Sequence, residues 1–221
     1  MDLQEAIKAR HSVRAYIDKP IEGEVLEQLQ QTIAECNQES GLNIQLCLNE
    51  PQAFSGRMAH YGKFKNARNY IALVGKKADA LAEKCGYYGE KIVLKATQLG
   101  LHSCWVALSY SKNKTAAVVN EGEKLALVIS LGYGETSGVS HKVKRLEALC
   151  RVKGEMPAWF RSGLEAVQLA PTALNQQRFR FELQGDAVKA VALLAPYSKV
   201  DLGIVKYHFE LGAGNAGWHW A

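Results

Sequence analysis

Apolar positions along this 221-residue chain change their period repeatedly, and each change marks an element. Leu3, Ala6 and Ile7 recur at helical spacing behind Asp2, and Glu5 completes a capping-box pattern, so a helix is predicted up to the Arg10–Arg14 segment, with Pro20 closing it off. Val25, Leu26, Leu29 and Ile33 predict a second helix over Val25–Cys36, and alternation over Asn43–Leu48 predicts a strand. Residues 49–69, with Pro51, Gly56 and Gly62, read as a long connection of the kind that often carries function. Tyr70–Val74 follows as a strand, then a helix over Tyr87–Leu99, stopped at Gly100. Trp105–Leu108 reads as extended, Thr115–Val119 as a short helix, and Leu125–Leu131 as the most apolar strand. Residues 132–158, rich in Gly, Lys and Ser, predict a linker with a basic cluster. Trp159–Leu169 returns to helix before Pro171, Phe179–Leu183 and Val188–Leu193 read as strands, and Leu202–Leu211 as a last helix. Helices and strands mix without a regular strand–helix–strand rhythm. The expected fold class is therefore α+β, a mostly antiparallel sheet covered by helices in a single domain spanning 1–221.

A faint repeat runs beneath this pattern. Ile92-Val93 and Leu99-Gly100 match Ile204-Val205 and Leu211-Gly212, and Trp105 and Trp218 follow at nearly the same distance. Upstream of each copy a helix runs into a strand, Val25–Leu48 in one half and Trp159–Leu183 in the other. Two amphipathic helices ending in Leu-Gly would look alike by chance; alternatively the chain is a fused pair of related halves, approximately 1–150 and 151–221.

Composition narrows the class. Apolar residues make up 48% and charged residues 22%, as in an ordinary globular protein. The net charge of +5 permits an anionic ligand, but the basic residues fall in scattered pairs without interleaved aromatics, which argues against a nucleic-acid partner. The five cysteines form no Cys-x-x-Cys pair, so neither a disulfide framework nor a zinc site is expected. His60, His102, His141, His208 and His219 show no helical i, i+4 pair and read as surface or hydrogen-bonded residues, with no metal. Cys104 reads as a small buried apolar residue, and Tyr133, Trp159 and Phe179 as core. The polar N-terminus and the short apolar runs predict neither a signal peptide nor a membrane span, hence a cytoplasmic protein.

Two stretches carry candidate chemistry. Arg10-His11-Ser12-Val13-Arg14 offers two guanidiniums with a hydroxyl between them, a set of donors suited to an anion with oxygens on several sides. Pro171-Thr172-Ala173-Leu174-Asn175-Gln176-Gln177 follows a helix; its small residues let backbone approach a flat ligand, and Asn175 and Gln177 can donate and accept along one edge of a heteroaromatic ring. A plain polar loop capping the preceding helix is the other reading. Gly132-Tyr133-Gly134 has the wrong glycine spacing for a dinucleotide loop, and there is no Gly-x-Ser-x-Gly.

In order along the chain, these stretches resemble elements of the nitroreductase-like flavoenzymes. Arg10–Arg14 resembles that family's Arg-x-Ser-x-Arg signature, and Gly100–Trp105 its Gly-Leu-Gly-x-x-Trp turn. Leu131–Gly134 with Lys142, Lys144 and Arg145 resembles its last core strand and basic segment, and Pro171–Gln177 its Pro-Ser-x-x-Asn loop. The stretch from Asp201 to Gly212 is similar to a single-chain branch of the family. The resemblance implies FMN as cofactor, NADH or NADPH as electron donor and a small nitroaromatic or quinone-like acceptor. Arg10, Ser12 and one or more of Lys142, Lys144 and Arg145 would hold the phosphate, with His11 beside them, and Arg14 would approach the pyrimidine edge of the ring. Trp105 would flank the flavin, and Pro171, Thr172, Ala173, Asn175 and Gln177 would pack on the ring; no catalytic acid or nucleophile is required. A flavin-binding protein without turnover remains the alternative. The family's loop normally lies early, where this chain reads Cys36–Gly41, and the second half lacks the arginine signature. Each half keeps what the other lacks, which implies one composite site per chain and makes a monomer plausible.

Overall fold

The alternating stretches form two four-stranded sheets that share a pair of central helices. A computed structural model describes residues 1–221, the side chain of Met58 excepted. The helices are α1 (Leu3–Ala9), α2 (Gly23–Ser40), α3 (Arg57–Tyr61), α4 (Leu81–Gln98), α5 (Leu146–Leu149), α6 (Ala158–Gln168) and α7 (Ser198–Ala213). The strands are β1 (Gln45–Cys47), β2 (Asn69–Lys76), β3 (His102–Val106), β4 (Glu123–Gly132), β5 (Cys150–Val152), β6 (Phe179–Gln184), β7 (Ala187–Ala192) and β8 (His219–Trp220). The first sheet runs β1-β2-β4-β3 and is antiparallel throughout, with Tyr70 opposite Ser130 and Trp105 opposite Ile129. The second runs β5-β6-β7-β8; its central β6–β7 pair is antiparallel and its outer pairs are parallel. The fold class is α+β.

Helices α4 and α7 are buried around most of their circumference, as befits elements packed on several sides. Two glycines set how closely they cross. A Cβ at Gly86 would collide with the Val200 carbonyl, and one at Gly203 with the Glu83 carbonyl. The two repeat copies lie on these two helices. On the far side of α7, Gly163 of α6 leaves room for Phe209, whose ring stacks on Phe181 with centroids 4.9 Å apart.

Most elements fall where periodicity places them, and α1 carries the expected capping box, with Asp2 Oδ1 accepting from Glu5 N at 2.8 Å and Glu5 Oε2 from Asp2 N at 2.9 Å. Helix α4 begins earlier than its apolar stripe predicts, at Leu81. The helix expected over Thr115–Val119 does not form. Its amides find partners on the first sheet instead, Ala116 N donating to Tyr70 Oη (2.7 Å) and Val118 N to Gln45 Oε1 (2.8 Å). The expected linker at 132–158 contains α5 and β5, held by the fully buried Leu149, and β8 adds an edge strand beyond the last predicted helix.

Candidate functional site

The N-terminal arginine segment leaves α1 extended and is fastened along its length. Val13 N donates to Ser103 O on β3, Tyr16 N to Lys65 O, Lys65 N to Arg14 O, Ile17 N to Tyr133 O and Glu135 N to Ala15 O, all at 2.9–3.0 Å. Val13 and Tyr16 point into the core, where Tyr16 Oη lies 2.7 Å from both Val13 O and Ser130 Oγ. Ser12 and Arg14, on either side of Val13, are exposed, and the strip turns before Tyr16, so that Val13 and Tyr16 are both buried.

Arg10, unlike Ser12 and Arg14, is buried. Only 5% of it is exposed; Nη2 donates to Leu169 O at 3.3 Å, and Nε lies 3.8 Å from Glu90 Oε1. Among the described residues, Arg10 Nε is the one buried side-chain nitrogen or oxygen without a hydrogen-bond partner. Burial pulls the guanidinium pKa down while Glu90 pulls it back up. The arginine heads a small cleft lined by Ile7, Lys8, Arg10, His11, Ser140, His141 and Leu169. His11 is held below the ordinary imidazole pKa by burial, then by Arg10 and His141. His141 Nε2 donates to Gln168 O at 2.9 Å, which ties the 140–145 segment to the end of α6.

The Pro171–Gln177 loop is drawn against the same segment. Lys144 Nζ donates to Gln176 O (2.9 Å) and Gln177 O (2.8 Å), and Lys144 N to Gln177 Oε1 (2.9 Å). Gln177 Nε2 reaches Lys142 O and Asn175 Oδ1, each at 2.9 Å, and Asn175 Nδ2 reaches Lys142 O at 2.8 Å. The amides expected to face a ligand are thus spent inside the loop, and the ammonium expected on a phosphate is spent on two carbonyls. Pro171 is buried, Thr172 Oγ1 accepts from Gln177 N at 3.1 Å, and Ala173 N donates to Asp201 Oδ1 at 2.9 Å. Lys142 and Arg145 stay exposed. Trp105 turns inward: its indole Nε1 donates to Glu90 Oε2 at 2.9 Å while its ring occupies the space left by Gly89.

The structure therefore brings Arg10, His11, the 140–145 segment and the base of the Pro171–Gln177 loop together, with Ser12 and Arg14 leading away along the surface. Sequence reasoning passed over Glu90, read His208 as a surface or hydrogen-bonded histidine without naming a partner, and named Asp201 only as the start of a resembling stretch; the structure shows His208 buried and hydrogen-bonded to Ala166 O and Glu90. A glutamate on an amphipathic helix and a histidine on an apolar one carry no local signal; Asp201, in the first turn of α7, had only its position to recommend it.

This α+β arrangement is that of the nitroreductase fold, as comparison with solved structures shows. The family model described as "Putative TM nitroreductase" matches residues 2–213, and the chain belongs to that family. A nitroreductase structure from Thermotoga maritima MSB8, described as putative, is 22% identical at a TM-score of 0.69, covering 96% of this chain and 83% of that one. One from Desulfovibrio desulfuricans, described as a putative nitroreductase in complex with FMN, is 17% identical at a TM-score of 0.55, covering 71% of this chain and 99% of that one. One from Parabacteroides distasonis ATCC 8503, described as a putative NADH dehydrogenase/NAD(P)H nitroreductase, is 19% identical at a TM-score of 0.52, covering 66% and 95%. These likenesses establish the fold. No curated protein matches the chain. Among the described residues no helix is long and apolar enough to cross a membrane.

Proposed function

We propose that this chain is an FMN-dependent oxidoreductase that takes electrons from NADH or NADPH and passes them to a small aromatic or quinone-like acceptor. The observation that carries the reading is Arg10, a buried guanidinium that lines a small cleft together with His11, Ser140 and His141. The cleft, about 20 Å³, has room for little more than a water, so a phosphate would sit at its mouth, where the positive charge of Arg10 and the His11, Ser140 and His141 side chains suit the anionic end of the cofactor. Arg10, Ser12, Lys142 and Arg145 would hold the phosphate, and Arg14 the ring edge. Lys144, Asn175 and Gln177 would shape the wall from behind rather than touch the ligand. When bound, the flavin supplies the two-electron chemistry. The protein's part is to bind, to orient and to present positive charge, which explains why the cleft needs no nucleophile.

The packing of α4 on α7, each bearing one copy of the repeat, supports reading the chain as two fused halves with one composite site. On that reading a monomer in the cytoplasm suffices. The test is an FMN titration followed by anaerobic NADH and NADPH. One flavin per chain with yellow bands that bleach is the expected result. Bands that persist with both donors would leave a flavoprotein without turnover, and a protein that takes up no FMN would overturn the proposal.

A further inference from the structure

Nothing in the proposed flavin site accounts for Glu90 and His208, two side chains that are both 0% exposed. Glu90 sits on α4 and His208 on α7, and their contact crosses the helix pair. The proton count follows from their partners. His208 Nδ1 faces Ala166 O at 3.0 Å, and a carbonyl has no proton to give, so Nδ1 carries one. Nε2 faces Glu90 Oε1 at 2.9 Å, while Trp105 Nε1 donates to Oε2 at 2.9 Å. The Nε2–Oε1 contact needs one further proton, on the nitrogen or on the oxygen. In either arrangement the pair sums to zero charge. Arg10, 3.8 Å from the same Oε1, is then left with its charge unbalanced inside the protein.

The neighbours do not supply the missing negative charge. Tyr207 lies near Glu90 and Cys104 near Arg10, and burial pushes both the phenol and the thiol up, towards their neutral forms. From the cleft side Lys8, His11 and His141 only add positive charge or none. An uncompensated buried cation is costly, and an anion at the mouth of the small cleft that Arg10 lines would relieve that cost.

We propose that Glu90 and His208 are positioning residues which, by sharing one proton, keep Glu90 from neutralising Arg10 and so hold a single net positive charge at the head of the cleft, ready for a phosphate group. The identity of that phosphate as FMN's rests on the proposed function; the charge itself does not.

The test uses His208→Gln, which places a neutral amide beside Glu90 and leaves its carboxylate to cancel Arg10. The double variant Glu90→Gln/His208→Gln returns the single positive charge. Dissociation constants for FMN and riboflavin, read by flavin fluorescence quenching, isolate the phosphate end. The expected result is a wild-type preference for FMN that falls roughly tenfold or more in H208Q and returns in the double variant. Equal losses for both flavins, or no return in a double variant that still melts cooperatively, would overturn the inference. Thermal stabilisation of flavin-free protein by inorganic phosphate gives a second readout, expected in wild type and double variant and absent in H208Q. If that pattern holds while FMN binds no better than riboflavin, the flavin reading fails and the charge assignment stands. If phosphate stabilises all three proteins alike, the charge assignment fails alone. Should H208Q not fold, ¹⁵N spectra of ring-labelled wild-type protein decide. A proton held at Nε2, covalently or by hydrogen bond, supports the pair, and a bare Nε2 overturns it.

Discussion

Gln176 Nε2 lies 2.7 Å from Asp201 Oδ2, an amide-to-carboxylate bond that ties the tip of the Pro171–Gln177 loop to the first turn of α7. The other oxygen of the same carboxylate accepts from Ala173 N at 2.9 Å, and Asp201 is only 2% exposed. Burial raises the Asp201 pKa above its ordinary 3.8, against the lowering by its two donors. An acid whose folded pKa is raised contributes stability below its unfolded value and loses it as pH climbs through the folded one. Asp201→Ala should cost about 2–3 kcal/mol in urea denaturation, since both donors lose their acceptor. Asp201→Asn can accept from only one of the two donors, because Gln176 Nε2 also donates to Pro196 O at 2.8 Å and cannot flip, so it should cost about 1–2 kcal/mol at pH 7. Wild type should gain on Asp201→Asn as pH falls towards 3.8, a trend that denaturation at several pH values would expose.

Lys144 and Lys142 separate structural charge from ligand charge. Lys144→Met removes two bonds to loop carbonyls, so it should lower the melting temperature and weaken FMN and riboflavin together. Lys142→Met, at an exposed side chain, should leave melting unchanged and weaken FMN alone by about threefold to tenfold, an effect that shrinks in high salt. Paired melting curves and flavin titrations would check both.

His11 should report the anion. In the free protein its pKa is depressed by burial, Arg10 and His141, so folding without ligand disfavours its protonation. Folded pKa below unfolded means that this group's contribution to stability rises with pH through the region around 6.5. A bound phosphate reverses the local charge balance and favours the imidazolium. FMN affinity should therefore rise as pH falls through that region, with proton uptake visible when calorimetry is repeated in buffers of different ionisation enthalpy. His11→Asn should flatten the trend.

At Gly203 the expected outcome is severe. A Cβ there meets the Glu83 carbonyl, which belongs to a helix backbone and cannot swing aside, so Gly203→Ala should cost about 3 kcal/mol or more by thermal melting. Leu174 should behave in the opposite way. It is 100% exposed and holds φ at 51°, the left-handed region that penalises a side chain, so Leu174→Gly should be neutral or stabilising by about 1 kcal/mol. Chemical denaturation of the two variants side by side makes the comparison.

Much of the frame was legible because it rests on local periodicity. The Leu3–Ile7 stripe with its cap and the alternation in Phe179–Leu183 carry their structure on their surface. Thr115–Val119 misled because its partners, Tyr70 and Gln45, lie far away in sequence, and tertiary hydrogen bonds outweighed a weak helical pattern. The candidate segments were singled out by side-chain chemistry, yet the burial of Arg10 and the inward turns of Trp105, Lys144 and Gln177 were not legible in them. Residue type tells what a group can bond, while the partner it takes, Glu90 for the Trp105 indole and loop carbonyls for Lys144, depends on packing that no single segment encodes.

The extended strip from Val13 to Ile17 is held by backbone bonds to β3, to Lys65 and to the 133–135 turn, with Val13 and Tyr16 as its buried anchors. The Arg14 side chain is exposed, and its backbone carbonyl, which accepts from Lys65 N, takes part in that holding. Substitutions on the outward face can therefore change its charge and shape while the main chain beneath keeps its course.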